Sequence, residues 1–544
     1  MTHFFNSRDT IVTEALDGLL LANPKGQLAR LDGYPSIKVI LRADWERKKV
    51  AIVSGGGAGH EPSHAGFVGR GMLTAAVAGE IFASPSVEAV LAAIRAVTGA
   101  PGCLLVVKNY TGDRLNFGLA AERARAEGYR VEMVIVSDDI AIPENPRPRG
   151  VAGTLFVHKI AGHAAEQGAD LEAVSELARS VARGSFSIGA SLSSCSIPGQ
   201  AFSERLAEGE GELGLGIHGE PGIERFAMSS ATKLVDIMME RLSAAMPAGG
   251  RFGLMINNLG AVPPLEMGLI AREVLTSPLA DRIHLLVGPA ALMTALDMNG
   301  FSLSLVRLDA EREAALRAPV DVPAWPGAIT PGTVETRPLA AIAAPFSHER
   351  ASHDETTHAL ISAACRALVA AEGELNALDA RVGDGDTGST LAIGARSVLG
   401  GLQDYPLADP AGTAAAIGRA LATSMGGSSG VLMSIFFTAT AAALQSGSSL
   451  PKALSAGLER VMFYGGAGPG DRTMIDALAP ALQALEKEGL QPAIEAARAG
   501  AEATRSMRKA KAGRSSYLST QDLDGAADPG AMAVAHVFAS LRAN

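Results

Sequence analysis

Short runs of branched apolar residues recur along the first half of the chain: Val50 to Ser54, Cys103 to Lys108, Val131 to Ser137, Phe252 to Asn257 and His284 to Gly288. Runs this short, apolar without alternation, are the pattern of strands covered on both faces. Between several of them lie Ala-rich stretches with helical spacing, such as Val87 to Val97 and Asp170 to Arg183. The alternation predicts α/β layers with largely parallel strands over residues 1–320, in two lobes breaking near residues 185–194. The texture then changes. Six prolines fall within the 27 residues from Pro319 to Pro345, a semi-extended pattern that assigns residues 321–353 to a linker. Beyond it strand signals fade, and apolar positions at helical period mark Leu360 to Ala371, Ala411 to Thr423, Val431 to Leu444, Asp476 to Glu486 and Pro492 to Ala503. Residues 354–544 therefore read as an all-α antiparallel bundle or barrel. Within it Val431 to Leu444 is the longest apolar run; it is short for a bilayer span and reads as a buried helix.

Composition narrows the class. At 544 residues, 47% hydrophobic and 19% charged, the chain has the balance of a soluble protein of two or three domains. A net charge of -10 and only 4% aromatic residues argue against nucleic acid, which needs a basic face and stacking platforms. Cys103, Cys195 and Cys365 are far apart and show no metal-ligand spacing, which suits a reducing cytosol. Met1 to Ser7 lacks a basic region followed by an apolar stretch, so a cytoplasmic protein with no membrane partner is expected.

In the helical half, Asp379, Asp384 and Asp386 lie within eight residues around Gly383 and Gly385. Hard divalent cations want several oxygen ligands about one point, and glycines let successive carboxylates converge. A surface Asx turn is the alternative, and the later acidic ligand of a calcium EF-hand is missing. Met425 to Gly430 precedes the apolar helix with small residues, a helix start that favours phosphate or is capped by Ser428 or Ser429. No lysine follows, so it is not a Walker loop. The Gly-rich loops Gly465 to Thr473 and Asp528 to Gly530 could complete a nucleotide pocket.

In the α/β half, Ser54 to Pro62 places four glycines and His60 directly after a strand. Glycines there allow close approach to a ligand at the strand's carboxyl end. A dinucleotide site would want an acidic residue about twenty positions on, at the end of a second strand; Glu80 does not fill that role. Lys108 to Asp113 follows another strand, and Gly214 to Gly222 contributes His218. A lone histidine is more often packed or solvated. Three polar clusters at strand ends instead suggest one crevice able to handle a polyhydroxy carbonyl compound.

Together these motifs resemble the dihydroxyacetone kinase family over nearly the whole chain. Gly55 to Pro62, Lys108 to Asp113 and Gly214 to Gly222, with Gly71 to Val77 and Phe82 to Ser86, are similar to its ketone-binding K domain. Asp384 to Gly388 and Gly426 to Gly430 are similar to its nucleotide-binding L domain. The resemblance implies a kinase that uses ATP and Mg²⁺. His218 would add to the substrate carbonyl as a hemiaminal, with His60 and Asp113 assisting at the reacting hydroxyl. Gly57, Lys108 and Ser84 would hold the substrate. Asp379, Asp384 and Asp386 would bind Mg²⁺; Gly426, Gly427, Ser428 and Ser429 would contact the phosphates, with Thr473, Arg514, Asp528 and Gly530 as further nucleotide contacts. It also implies a homodimer through the K domain. Both halves share one chain with no carrier domain, which favours exchangeable ATP. Dihydroxyacetone is the first-choice substrate; erythrulose, a cyclising FAD-AMP lyase activity and a non-catalytic ketose sensor are the alternatives.

Overall fold

The computed structural model describes residues 3–142, 145–202, 204–339, 350–511, 523 and 525–542. The chain divides into two compact units, residues 1–336 and 337–544.

The first unit contains two sheets. One is built from β1 (Leu28–Arg30), β2 (Val39–Arg42), β3 (Ala51–Ala58), β4 (Ala75–Ile81), β5 (Cys103–Lys108) and β6 (Val131–Val136), in the order β1-β2-β4-β3-β5-β6. Its strands β4, β3, β5 and β6 run parallel. The other holds β7 (Ser185–Ser191), β8 (Glu210–Leu213), β9 (Glu224–Ala227), β10 (Arg251–Asn258), β11 (Ile283–Ala290), β12 (Gly300–Leu308) and β13 (Ala328–Ile329), in the order β13-β11-β10-β12-β7-β8-β9. Only β10 and β11 pair in parallel there; every other pairing is antiparallel. The expectation of largely parallel strands thus holds for the first sheet and fails for the second. Strands β7 and β12 carry serines at alternate positions, so a search for unbroken apolar runs passes over them.

The helix Thr154–Glu166 lies between the two sheets and is buried over nearly its whole length. Its Phe156 and Ile160 share one core with Ile52, Leu104 and Val106 of the first sheet and with Met255, Val287 and Val306 of the second. A helix buried on nearly every side belongs in such a position, and its buried Lys159 and His158 have partners in the Ala315 carbonyl and Ser54. Helices Val87–Val97 and Thr111–Ala126 cover the other face of the first sheet. Helices Ala231–Ala245 and Pro264–Leu275 cover that of the second. Each buried Leu, Ile or Phe contributes roughly 1.5–3 kcal/mol, so these layers fix the strand ends that carry the chemistry.

The expected linker is only partly extended. Val322 and Trp325 are buried in the central core, and β13 pairs with β11 through Leu286–Ile329 and Val287–Ala328. Two apolar anchors among prolines are enough to dock this stretch, although they are too few to give a periodic signal.

The second unit is helical: Glu355–Ala370, Glu372–Val382, Thr387–Gly401, Pro410–Ser424, Gly427–Gln445, Leu450–Gly465, Ile475–Lys487, Leu490–Ala503 and Pro529–Ser540. Consecutive helices joined by short turns pack side by side, and Pro529–Ser540 returns to pack on Glu355–Ala370. Helix Gly427–Gln445 departs from the buried helix expected. It is 19 residues long with a mean hydropathy of 1.5, so length alone does not exclude a membrane span. It packs on both of its sequence neighbours through Phe436, Thr440 and Ala441, while Val431 is 58% exposed.

Candidate active site

In the first unit the residues singled out by sequence gather at the carboxyl ends of β3 and β5, beside the loop joining β8 to β9. Lys108, the last residue of β5, is fully buried. Its ammonium donates to the Gly55 carbonyl at 3.2 Å and to His64 Nε2 at 2.6 Å. It stands 4.0 Å from Asp113 Oδ2. Asp113 occupies the first turn of helix Thr111–Ala126, where the helix dipole favours its charge. Its Oδ1 is buried and has no hydrogen-bond partner among the described residues.

The glycines are required by contact. A Cβ on Gly56 would fall 2.5 Å from Lys108 Nζ. One on Gly57 would fall 2.7 Å from the Ala83 nitrogen. One on Gly112 would lie 2.6 Å from Ser84 Oγ, which places Ser84 against the start of the Asp113 helix. The Phe82 to Ser86 loop is tied down where Ser86 caps helix Val87–Val97, accepting from Ala89 N at 3.2 Å.

His60 is fully buried, and its Nδ1 donates to the Thr294 carbonyl at 2.8 Å. Its Nε2 has no partner among the described residues. Burial, then the charges of His218 and Lys108, hold its pKa well below 6.5. The ring is therefore neutral at pH 7, with a lone pair free to take a proton.

His218 meets His60 edge-on at 4.9 Å between ring centroids, Tyr110 at 4.4 Å and Phe82 at 5.5 Å. Its Nδ1 faces Glu220 Oε1 at 3.4 Å, and its backbone N–H donates to Glu220 Oε2 at 2.9 Å. Burial alone would push the Glu220 carboxyl up, but the hydrogen bond from His218, the charge that ring carries when protonated and the local backbone amides outweigh it and bring the pKa down to about 2. Facing an ionised Glu220, a neutral ring carries its proton on Nδ1 and leaves Nε2 bare. Arg149 secures this loop by bonding the Gly214 carbonyl at 2.8 Å and Asp139 at 2.7 Å.

In the second unit, the carboxylates of Asp379, Asp384 and Asp386 lie within 4.8 Å of one another. Asp379 is buried on the last turn of its helix, and its Oδ2 accepts from Asp386 N at 2.9 Å and Thr387 N at 3.1 Å. Gly385, at φ +82, makes the turn that brings the loop back. A Cβ on Gly383 would overlap Asp379 Oδ1, and one on Gly388 would overlap the Glu372 carbonyl. All-oxygen donors with two exposed members fit a hard divalent cation that keeps water and phosphate ligands.

Gly426, not a serine, sits at the N-cap of helix Gly427–Gln445, and no side chain caps it among the described residues. Ser428 and Ser429 are exposed, and nothing stands within 4 Å of a Cβ built on Gly426 or Gly427. The serine-cap alternative is therefore absent, and the helix offers its first N–H groups to solvent. Thr473 lies in a loop held by Asp476, whose carboxylate accepts from Gly470 N at 2.5 Å and Thr473 N at 2.8 Å. Asp528 caps helix Pro529–Ser540, accepting from Ala531 N at 2.8 Å. Burial raises its carboxyl to about 6; the Arg472 charge opposes the rise, and the Asp476 and Asp379 charges add to it. Asp528 thus lies in the electrostatic range of the carboxylate cluster, and Gly530 follows it in the helix start. Arg514 lies outside the described residues. Sequence reasoning assigned no role to Glu220, Tyr110 or His64; their tertiary contacts, not a spacing, bring them in.

Residues 17–324 match the Dak1 domain and residues 381–543 the DAK2 domain, so the chain joins one of each class. It is 50% identical to the dihydroxyacetone kinase of Citrobacter freundii, covering 99% of this chain and 98% of that protein. It is 43% identical to the triokinase/FMN cyclase of Bos taurus over 98% of this chain and 97% of that one. The crystal structure of the C. freundii kinase in complex with AMP-PNP and Mg²⁺ superposes with a TM-score of 0.72 at 49% identity, covering 99% of both chains. The chain belongs to the dihydroxyacetone kinase family.

Proposed function

We infer that the protein transfers the terminal phosphoryl group of ATP to a hydroxyl of dihydroxyacetone. The observation that carries this reading is the pairing of Nε2-armed His218 with a buried, neutral His60, beside Lys108 and Asp113. His218 Nε2 adds to the ketone carbon while the carbonyl electron pair moves to oxygen, and that oxygen takes a proton from solvent to complete the hemiaminal. Glu220 offsets the positive charge that the ring acquires. His60 Nε2 receives the proton of the hydroxyl that is phosphorylated, and Gly57, Ser84, Lys108 and Asp113 orient the chain of hydroxyls. In the second unit Asp379, Asp384 and Asp386 would hold Mg²⁺, with the 426–429 amides and the Thr473 and Asp528 to Gly530 loops about the nucleotide. Bound Mg²⁺ supplies charge neutralisation at the phosphates, the main requirement of phosphoryl transfer. The covalent tether supplies the positioning that a small, flexible ketose cannot gain from contacts alone.

The likeness to proteins named triokinase/FMN cyclase makes a cyclising lyase the second reading. We also infer a cytoplasmic homodimer. Three unpaired cysteines suit a reducing compartment, and Leu265 and Leu269, four residues apart on one helix, are 86% and 46% exposed. ADP release measured with dihydroxyacetone, both erythrulose enantiomers, glyceraldehyde and glycerol tests the reading. Turnover should need a carbonyl, so efficient phosphorylation of glycerol would overturn it.

A further inference from the structure

The His64 side chain is 5% exposed, and its Nε2 lies 2.6 Å from the Lys108 ammonium. Burial lowers the Lys108 pKa and the Asp113 charge opposes that; as an ammonium it only donates, which makes His64 Nε2 the acceptor and puts the ring proton on Nδ1. Nδ1 has no partner among the described residues. A buried histidine retained for packing would satisfy both nitrogens, whereas the one ring hydrogen bond made here among the described residues goes to Lys108. Burial, then the charges of Lys108, His158 and His60, hold the His64 pKa well below 6.5, which keeps the ring neutral and accepting.

Lys108 has three N–H donors. Gly55 takes one and His64 a second. The third faces Asp113, whose Oδ2 is 4.0 Å away, too far for a direct hydrogen bond. Asp113 Oδ1 is itself unpartnered among the described residues. One hydroxyl or carbonyl oxygen would bridge that gap, accepting from Lys108 and, as a hydroxyl, donating to Asp113.

We propose that His64 is a positioning residue for ketone phosphorylation: by accepting from Lys108 through Nε2, it turns the remaining N–H of the ammonium toward the substrate oxygen. The tautomer is fixed from the Nε2 side of this ring, by Lys108. The neighbouring His158 meets it edge-on at 5.3 Å and donates from its own Nε2 to Ser54 Oγ at 3.1 Å, because the Ser54 hydroxyl proton is already given to the Val106 carbonyl at 2.7 Å. His158 therefore offers His64 no proton through Nε2. The charged and titratable groups facing Lys108 are His64, Asp113, His60 and His158.

This role rests on the kinase reading above, so the test has one arm that does not use turnover. In the full chain labelled with ¹⁵N-histidine, the His64 ring signal, assigned by its loss in His64→Gln, should report a neutral Nδ1–H tautomer with bare Nε2 at pH 7.5. An Nε2–H tautomer or a charged ring overturns the proposal, whatever the activity. In the kinetic arm, His64→Leu should raise KM for dihydroxyacetone about tenfold, a loss of about 1.4 kcal/mol, with KM for ATP unchanged. His64→Gln, which restores an acceptor near Nε2, should return to within about threefold of the wild type. Equal impairment of the two variants, or an unimpaired Leu variant, refutes positioning by acceptance. Should the Leu variant not fold, the ring spectrum and the Gln variant decide. A wild type inactive on dihydroxyacetone but carrying the expected tautomer would fault the kinase reading instead.

Discussion

Replacing Glu220 by Gln tests how the His218 ring is armed. Gln keeps an oxygen facing Nδ1 but removes the negative charge. Burial opposes that charge; the hydrogen bond from His218, the charge that ring carries when protonated and the local backbone amides still hold the carboxyl down from 4.5 to about 2. A displacement of that size is equivalent to about 3 kcal/mol when shielded from water. With 38% of the side chain exposed, solvent screening cuts the usable part to about 1 kcal/mol. The folded pKa is the depressed one, so the stabilisation is fully present above 4.5 and is lost as pH falls toward about 2. At pH 7.5 the charge is in place. Coupled ADP release under saturating ATP should then show kcat/KM for dihydroxyacetone down about fivefold in Glu220→Gln, with KM for ATP unchanged. Thermal melts should show the wild type more stable than the variant from pH 8 to 5, with the gap closing below 4.5. An unchanged kcat/KM, or a melting gap that widens in acid, would refute the reasoning.

Asp384→Asn should abolish kinase activity and weaken Mg²⁺-dependent nucleotide binding, while calorimetry finds ketone binding to the first unit intact; lost ketone binding in folded protein would contradict the division of labour. His218→Ala should eliminate the protein–ketone adduct seen by native mass spectrometry or crystallography, and an adduct that survives would place the nucleophile elsewhere. Gly112→Ala should raise KM for dihydroxyacetone several-fold because the new Cβ would stand 2.6 Å from Ser84 Oγ. The same change sits in the first turn of a helix, where Ala is favoured over Gly by at most the about 1 kcal/mol of a helix interior. Its melting temperature should therefore not fall in step with its activity, and a parallel fall would show damage to the fold instead of to the site.

The strands legible in the sequence were those whose burial is complete on both faces. β5, Cys103–Lys108, is buried at every residue and reads as an unbroken apolar run. β12 is nearly as buried, yet Ser302 and Ser304 interrupt the run because their hydroxyls have partners inside: Ser302 accepts from Asn257 at 3.1 Å and Ser304 from Ser187 at 2.7 Å. Hydropathy cannot distinguish a satisfied buried serine from an exposed one. The antiparallel character of the second sheet was hidden for that reason. The helical unit was easier to read, since its amphipathic repeat is local. Helix Gly427–Gln445 misled because its apolar face is wider than the surface its two neighbours cover.

At the site, what could be read were the residues whose neighbours in sequence are unusual. Glycines around His60, Lys108 and His218 announce backbone crowding, and the structure supplies the reason at each: the Lys108 ammonium beside Gly56, Phe82 and Ala83 beside Gly57, Ser84 beside Gly112, and Glu220 beside Gly216. Residues that act through a partner carry no such mark. His64 stands four positions after His60, a spacing any loop could produce, and gains its meaning only when β5 brings Lys108 alongside. Glu220 is two residues from His218, and its Oε1 faces the imidazole in a loop that Arg149 ties down at the Gly214 carbonyl. A nucleophile can be proposed from its setting in sequence; the carboxylate that chooses its tautomer, and the imidazole that aims its ammonium, follow only from distance.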